Sequence, residues 1–261
     1  MCLLQCNITA QDHACLTGPC DLSVVCLSLV SKWAFTLEIF LNPPAFLTTS
    51  PFLAEKPLPV MFLGHGSPMN AIEDNEFHQA WVEMGAQFGA DKRWPLPRLV
   101  LCVSAHWLTR GWQITANIHP PTIHDFGGFP KALFDQQYPA PGHPQAAREI
   151  ADLLGQGDTP VAVSLSTEWG LDHGCWSVLK PMFAHANIPV LQLSMDGTRP
   201  AKDHFAVGQQ LRGLRQQGVL IVASGNTVHN LGAKRPGWRI PVQNIFCPCS
   251  MPPVRPALKT R

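Results

Sequence analysis

The stretch "LVLCVSAHW", Leu99 to Trp107, decides the fold class. Five apolar residues run unbroken and stop at Ser104, with His106 just beyond. A short apolar run of this kind reads as a strand buried on both faces, as in the interior of a parallel sheet. The stretch "PVMFLGHGSP", Pro59 to Pro68, repeats the arrangement: an apolar run, a glycine, then His65.

Further apolar runs bounded by Pro or Gly read as strands over Val161–Leu165, Pro189–Leu193 and Val219–Ala223, with Gln113–Ile118 as another candidate. Helical patterns lie between them. Asp74 is placed to cap a helix running to about Phe88. Residues 144–155 start at Pro144 and put Ala146, Ala147, Ile150, Leu153 and Leu154 on one face. Cys175–Ala186 and Ala201–Gln217 are two more. Alternating strands and helices predict an α/β fold: a mostly parallel central sheet with helices on both faces. Such sheets bind ligands outside the carboxyl ends of their strands, which is where His65 and His106 fall.

The chain divides into three regions. Residues 1–56 are rich in Cys, Leu, Ser and Thr and lack clear periodicity. Residues 57–231 carry the α/β pattern. Residues 232–261 contain no Asp or Glu, six Lys or Arg and six prolines, a density of proline that sustains neither a helix nor an inner strand. Leu22–Leu41 is the most apolar window, but it holds Lys32 and Glu38. Each charge near a bilayer centre costs ~2.5–3.5 kcal/mol, so no membrane span is expected. No basic residue precedes the window, unlike a signal peptide.

The net charge of +1, with 14% charged residues, gives no electrostatic footprint for nucleic acid or an anionic membrane. Five of the nine cysteines lie in the first 26 residues, which is not the spacing of a disulfide framework. The middle holds only Cys102 and Cys175, and that sparseness fits a reducing, cytoplasmic setting. The oligomeric state is not encoded in any pattern of this sequence.

Eleven histidines against one tyrosine direct attention to metal and proton chemistry. His65 and His106 follow strands, and neutral imidazoles on rigid strand ends suit Zn or Fe(II). His124 sits in "PPTIHDFGGFP", where Phe126 and Phe129 make an apolar wall suited to an aromatic ligand. Read locally, His124 and Asp125 serve turn hydrogen bonds instead. His173 lies in "EWGLDHGCW", beside Asp172, which is equally suited to cap the following helix. His229 lies in "VASGNTVHN" after the last strand. Histidines 13, 78, 119, 143, 185 and 204 read as surface or helix-face residues. There is no GxSxG elbow, no P-loop and no GxGxxG after a strand. The residues alone point to a histidine-based metal or catalytic site and leave open a metalloenzyme, a non-catalytic metal-binding remnant and a metal-dependent hydrolase.

The stretches "FLGHGSPMNAIEDN", "VSAHWLTRG", "PPTIHDFGGFP", "YPAPGHP", "WGLDHGCWSVL", "PVLQLSMD" and "VASGNTVHNL" occur in this order. Together they resemble the 4,5-DOPA extradiol dioxygenase family of class III, LigB-like enzymes, over about residues 58–231. The resemblance implies a non-haem centre holding Fe(II) or Zn(II), with a catechol and O2 as reaction partners and ring opening beside the two hydroxyls. By motif, His65 and His106 match two metal ligands. His229 matches an active-site histidine, either at the metal or acting as acid/base. His173 matches a second catalytic pocket histidine. His124 matches a substrate-pocket position that some relatives fill with tyrosine.

No histidine follows His229, whereas the family completes its metal site with a C-terminal histidine. Residues 1–56 and 232–261 are expected to be non-family sequence, from a shifted reading frame or a misplaced start, with weak metal binding and slow or absent turnover of a catechol as a result. Their composition predicts that they pack poorly. Limited proteolysis is expected to trim both and leave a resistant fragment close to 57–231. A protease-resistant Leu22–Leu41 would contradict this reading.

Overall fold

The fold is taken from a computed structural model that describes residues 46–47 and 56–226. The apolar window Leu22–Leu41, the basic Pro-rich segment 232–261 and His229 lie outside the described residues, as does most of 1–56. Phe46 and Leu47 are described: their backbone N–H groups donate to the Glu149 carboxylate at 2.6 and 2.7 Å, and the Arg98 guanidinium lies 4.5 Å from the Phe46 ring centroid.

The strands are β1 (Val60–Leu63), β2 (Leu99–Ser104), β3 (Leu108–Thr109), β4 (Trp112–Thr115), β5 (Val163–Ser166), β6 (Val190–Gln192), β7 (Met195–Asp196) and β8 (Val219–Ser224). The main helices are α1 (Glu76–Gly85), α2 (Pro144–Gln156), α3 (His173–Met182) and α4 (Ala201–Leu211). The central sheet has the order β1-β8-β2-β6, and every pairing in it is parallel. Two short parallel pairs, β3 with β7 and β4 with β5, stand apart from it.

Strand periodicity explains how both faces are covered. Leu99, Leu101 and Val103 of β2, with Val219 and Ile221 of β8, pack among Ala146, Ala147, Ile150 and Leu154 of α2 and Val207 and Leu211 of α4. The alternate residues Val100, Cys102, Leu220 and Val222 pack among Trp81 of α1 and Cys175, Trp176, Val178 and Leu179 of α3. Fully burying one large aliphatic side chain contributes ~1.5–3 kcal/mol, so the two clusters hold helices to both faces of one sheet. Mostly parallel sheet and two helical layers are as the sequence predicts. Among the described residues, no helix is long and apolar enough to cross a membrane.

The differences from the sequence reading are local. The α1 cap is Asn75, not Asp74: its side chain accepts from the Phe77 and His78 N–H groups at 3.1 and 3.0 Å. That helix ends at Gly85, short of Phe88. The run at Val161–Leu165 gives β5 over Val163–Ser166, partly exposed and paired with β4 rather than buried in the main sheet. β4 itself ends at Thr115. Leu153 of α2 is 39% exposed, because it falls at the edge of the buried stripe. α3 begins at His173, two residues before Cys175, and ends at Met182. α4 ends at Leu211, and a tighter 3-10 turn, Arg212–Gln217, carries the chain to Gly218. Gly218 has φ +80°, a left-handed stop that glycine adopts without strain.

α1 meets α3 through Gly85. A Cβ there would lie 2.1 Å from the Met182 carbonyl oxygen. Helix propensity favours Ala over Gly by ~1 kcal/mol, but a backbone clash of this kind outweighs it. Gly85→Ala is expected to destabilise the protein by ~1–3 kcal/mol in urea denaturation. A stabilised variant would show that the two helices separate freely.

Candidate metal centre

The carboxyl end of the central sheet carries two serines, Ser104 and Ser224, that organise the loops above it. Leu63 and Ser104 are both register partners of Ser224, so β1 and β2 flank β8 and end level with it. His65 leaves β1 after Gly64, and its Nδ1 lies 3.0 Å from the Ser224 hydroxyl. Gly66 follows with φ +59° and donates its N–H to the Asn226 side-chain oxygen at 3.0 Å. On the other side, the His106 N–H donates to the Ser104 hydroxyl at 3.2 Å. Both imidazoles therefore lean over the end of β8, and their Nε2 atoms are 3.2 Å apart.

α3 brings the third histidine. Asp172 caps the helix, accepting from the Cys175 N–H at 3.1 Å, and His173 is its first residue. Gly174 lets the helix start close to β2: a Cβ there would lie 2.4 Å from the Ser104 hydroxyl and 3.0 Å from His106 Cδ2. The result is that His173 and His106 lie with ring centroids 3.9 Å apart, and His173 and His65 5.5 Å apart. The ligand-capable nitrogens of His65, His106 and His173 all fall within 4.8 Å of one another.

Asp125 joins two of these rings. Its Oδ1 lies 2.8 Å from His173 Nδ1 and accepts from the His173 backbone N–H at 3.0 Å. Its Oδ2 lies 3.2 Å from His106 Nδ1. Backbone pairing delivers it there: the Ile123 N–H donates to Leu171 O and the Leu171 N–H to Pro121 O, each at 2.8 Å. Burial opposes the Asp125 charge, but the hydrogen bonds from His106 and His173 outweigh it and hold its carboxyl well below the usual carboxylate range. Asp172 behaves oppositely: full burial and the nearby Asp125 charge push its carboxyl up, against hydrogen bonds from Ser104 and Gln192.

With Nδ1 of His65, His106 and His173 each beside an oxygen, Nε2 is the nitrogen each has left for an ion, and those of His65 and His106 face one another. Three imidazole nitrogens ordered in this way fit a divalent ion of the Zn(II) or Fe(II) class. The nitrogens are neutral donors and the nearby carboxylate balances positive charge, so the donor set suits such an ion without a further acidic ligand.

His124 stands one ring away. Its Nε2 lies 3.0 Å from Gln136 O, and its ring contacts Phe126, Phe134 and Trp176 at 5.7, 6.1 and 5.7 Å. Phe126 in turn meets His173 edge-on at 5.5 Å. The loop thus builds an aromatic wall beside the histidine cluster. Among the other histidines, His143 caps α2 and His204 is fully buried against Trp112. Local reading of the sequence placed Asp125 in a turn, because a contact with a residue 48 positions away leaves no local periodicity. The acidic residue next to His124 was the only available signal.

Known proteins resemble this chain over the same region. The family model described as "Catalytic LigB subunit of aromatic ring-opening dioxygenase" matches residues 59–246. The protein named 4,5-DOPA dioxygenase extradiol of Escherichia coli is 50% identical over 175 residues, 67% of this chain and 61% of that protein. The protein of the same name from Beta vulgaris is 38% identical over 168 residues, covering 64% of this chain and 61% of its own length. A crystal structure of an uncharacterized Escherichia coli K12 protein is 43% identical, with a TM-score of 0.53, covering 67% of this chain and 62% of that one. The chain thus spans about three fifths of the length of these relatives. With the family model matched over well more than half of its residues and the histidine cluster lying inside that match, the chain belongs to the LigB family of aromatic ring-opening dioxygenases.

Proposed function

We propose that this protein opens the ring of a catechol beside its two hydroxyls, using O2 and a divalent ion held by His65 and His106. The observation that carries the reading is the approach of His65 and His106 Nε2 to 3.2 Å at two strand ends, with His173 beside them. Two ligands of one ion at ~2.0–2.1 Å each sit at about this separation. A bound Fe(II) supplies the one-electron chemistry that O2 needs to react with a closed-shell aromatic ring.

The chain's own residues do the rest. Ser224 and Asp125 fix the orientation of His65 and His106. His173 is placed between this pair and the Phe126 ring, the position from which a base reaches a catechol hydroxyl. It takes the proton at Nε2 as the catechol binds and returns it as the ring opens. Phe126, Phe129 and Phe134 offer the apolar wall against which a catechol ring lies. His124, tied to Gln136 in that wall, contacts the remote part of the substrate. His229 is proposed as a further residue of the centre, as ligand or acid/base. The curated relatives carry DOPA in their names, which makes L-DOPA the first catechol to test. A cytoplasmic setting accords with the free thiols of Cys102 and Cys175 among the described residues.

The test is oxygen uptake by Fe(II)-reconstituted protein with L-DOPA or protocatechuate. Uptake with loss of the aromatic absorbance is expected, and a chelator should abolish it. His65→Ala should lower the rate by at least ~10–100-fold, since a lost ligand costs no less than a disturbed ligand partner. No uptake with either catechol, or uptake that survives His65→Ala, would overturn the proposal.

A further inference from the structure

We infer that Asp125 is a positioning residue that sets the tautomer of two imidazoles at once, holding His106 and His173 with Nδ1 protonated so that each turns an Nε2 lone pair to the centre. This rests on the metal-dependent reading of the site. Asp125 Oδ1 accepts the His173 backbone N–H and faces His173 Nδ1, and Oδ2 faces His106 Nδ1. An aspartate carboxyl, ordinarily titrating at about 3.9, is ionised at neutral pH. An ionised carboxylate only accepts, so each Nδ1 must carry hydrogen. Each Nε2 is then a bare lone pair, the form a metal ligand or a base requires.

The geometry separates this role from that of a simple staple. The loop is already tied to the segment before α3 by the Ile123–Leu171 and Leu171–Pro121 backbone bonds. Asp125 is thus not needed to bring the loop there. What it adds is direction of hydrogen bonding to two rings whose centroids are 3.9 Å apart.

Asp125→Asn makes the distinction visible. The amide has one acceptor and one donor end. Its oxygen is required twice by His173, so the NH2 is left facing His106. His106 can then only accept at Nδ1, and its proton moves to Nε2. In that tautomer His106 points hydrogen, not a lone pair, toward the centre. One ring changes and the other does not.

The experiment uses the full chain labelled with 15N in its imidazoles, metal-free, with long-range proton–nitrogen spectra, followed by Zn(II) titration against a chromophoric chelator. In the unmodified protein both His106 and His173 should be Nδ1–H. In D125N, His106 should become Nε2–H, His173 should stay Nδ1–H, and Zn(II) affinity should fall by ~10–100-fold. An Nε2–H signal from either ring in the unmodified protein would overturn the inference. So would a folded D125N with unchanged Zn(II) affinity. If D125N does not fold, the spectrum of the unmodified protein decides alone. No catechol or O2 enters this assay, so a protein that takes up no oxygen yet shows these shifts would keep the inference and lose the proposed function.

Discussion

The parallel insertion of β8 between β1 and β2 is the constraint on which the site depends. Its last residue, Ser224, is in register with both Leu63 and Ser104. Parallel neighbours lie ~4.8 Å apart, so two chains leaving β1 and β2 at one level overhang the same strand end. His65 and His106 are the second residues past those ends, and they meet above β8. A register slip of one residue in β8 would turn its whole apolar set to the opposite face. The alternation of Val219 and Ile221 against Leu220 and Val222 into two different cores prevents that slip. The packing that stabilises the sheet therefore also fixes the imidazole separation.

That logic explains what the sequence disclosed. Leu99–Ser104 was readable because an inner parallel strand is apolar along its length, here from Leu99 to Val103, and all six of its residues are buried. β5 was misread as buried, since Val163 and Leu165 look the same in sequence whether they face a core or a side pair. The start of α3 was legible in Asp172, which the sequence offers as a cap and which accepts from the Cys175 N–H. His65 and His106 were legible by their place after strands. Asp125 was not, because its contacts to positions 106 and 173 are made across loops, where no period links the residues.

The end of the sheet is polar by necessity as well as by function. Ser104, Thr115, Asp172, Gln192, Ser194 and Ser224 are all buried. Each would be costly if unpaired. Here Thr115 accepts from the Gln192 N–H at 2.8 Å, Gln192 bonds Asp172, and Asp172 caps α3. This network lets α3 begin hard against β2, with Gly174 removing the one Cβ that would intervene. Local helix propensity opposes glycine in a first turn, so close approach of His173 to His106 is obtained at some expense in intrinsic stability, as expected of a functional site.

The three imidazoles are not held alike, and the difference follows from the chemistry of their partners. A carboxylate can only accept, which restricts His106 and His173 to one tautomer. A serine hydroxyl can donate or accept, so Ser224 leaves His65 a choice at Nδ1. With His106 as acceptor, His65 Nε2 would donate to it and the Ser224 hydroxyl would donate to His65 Nδ1. With an ion held by both rings, His65 would carry its proton at Nδ1, where the same hydroxyl can accept it. The ring most deeply buried, at 1% exposure, is thus the one whose partner can follow a change of state, while the two rings on Asp125 are held in the form they must keep.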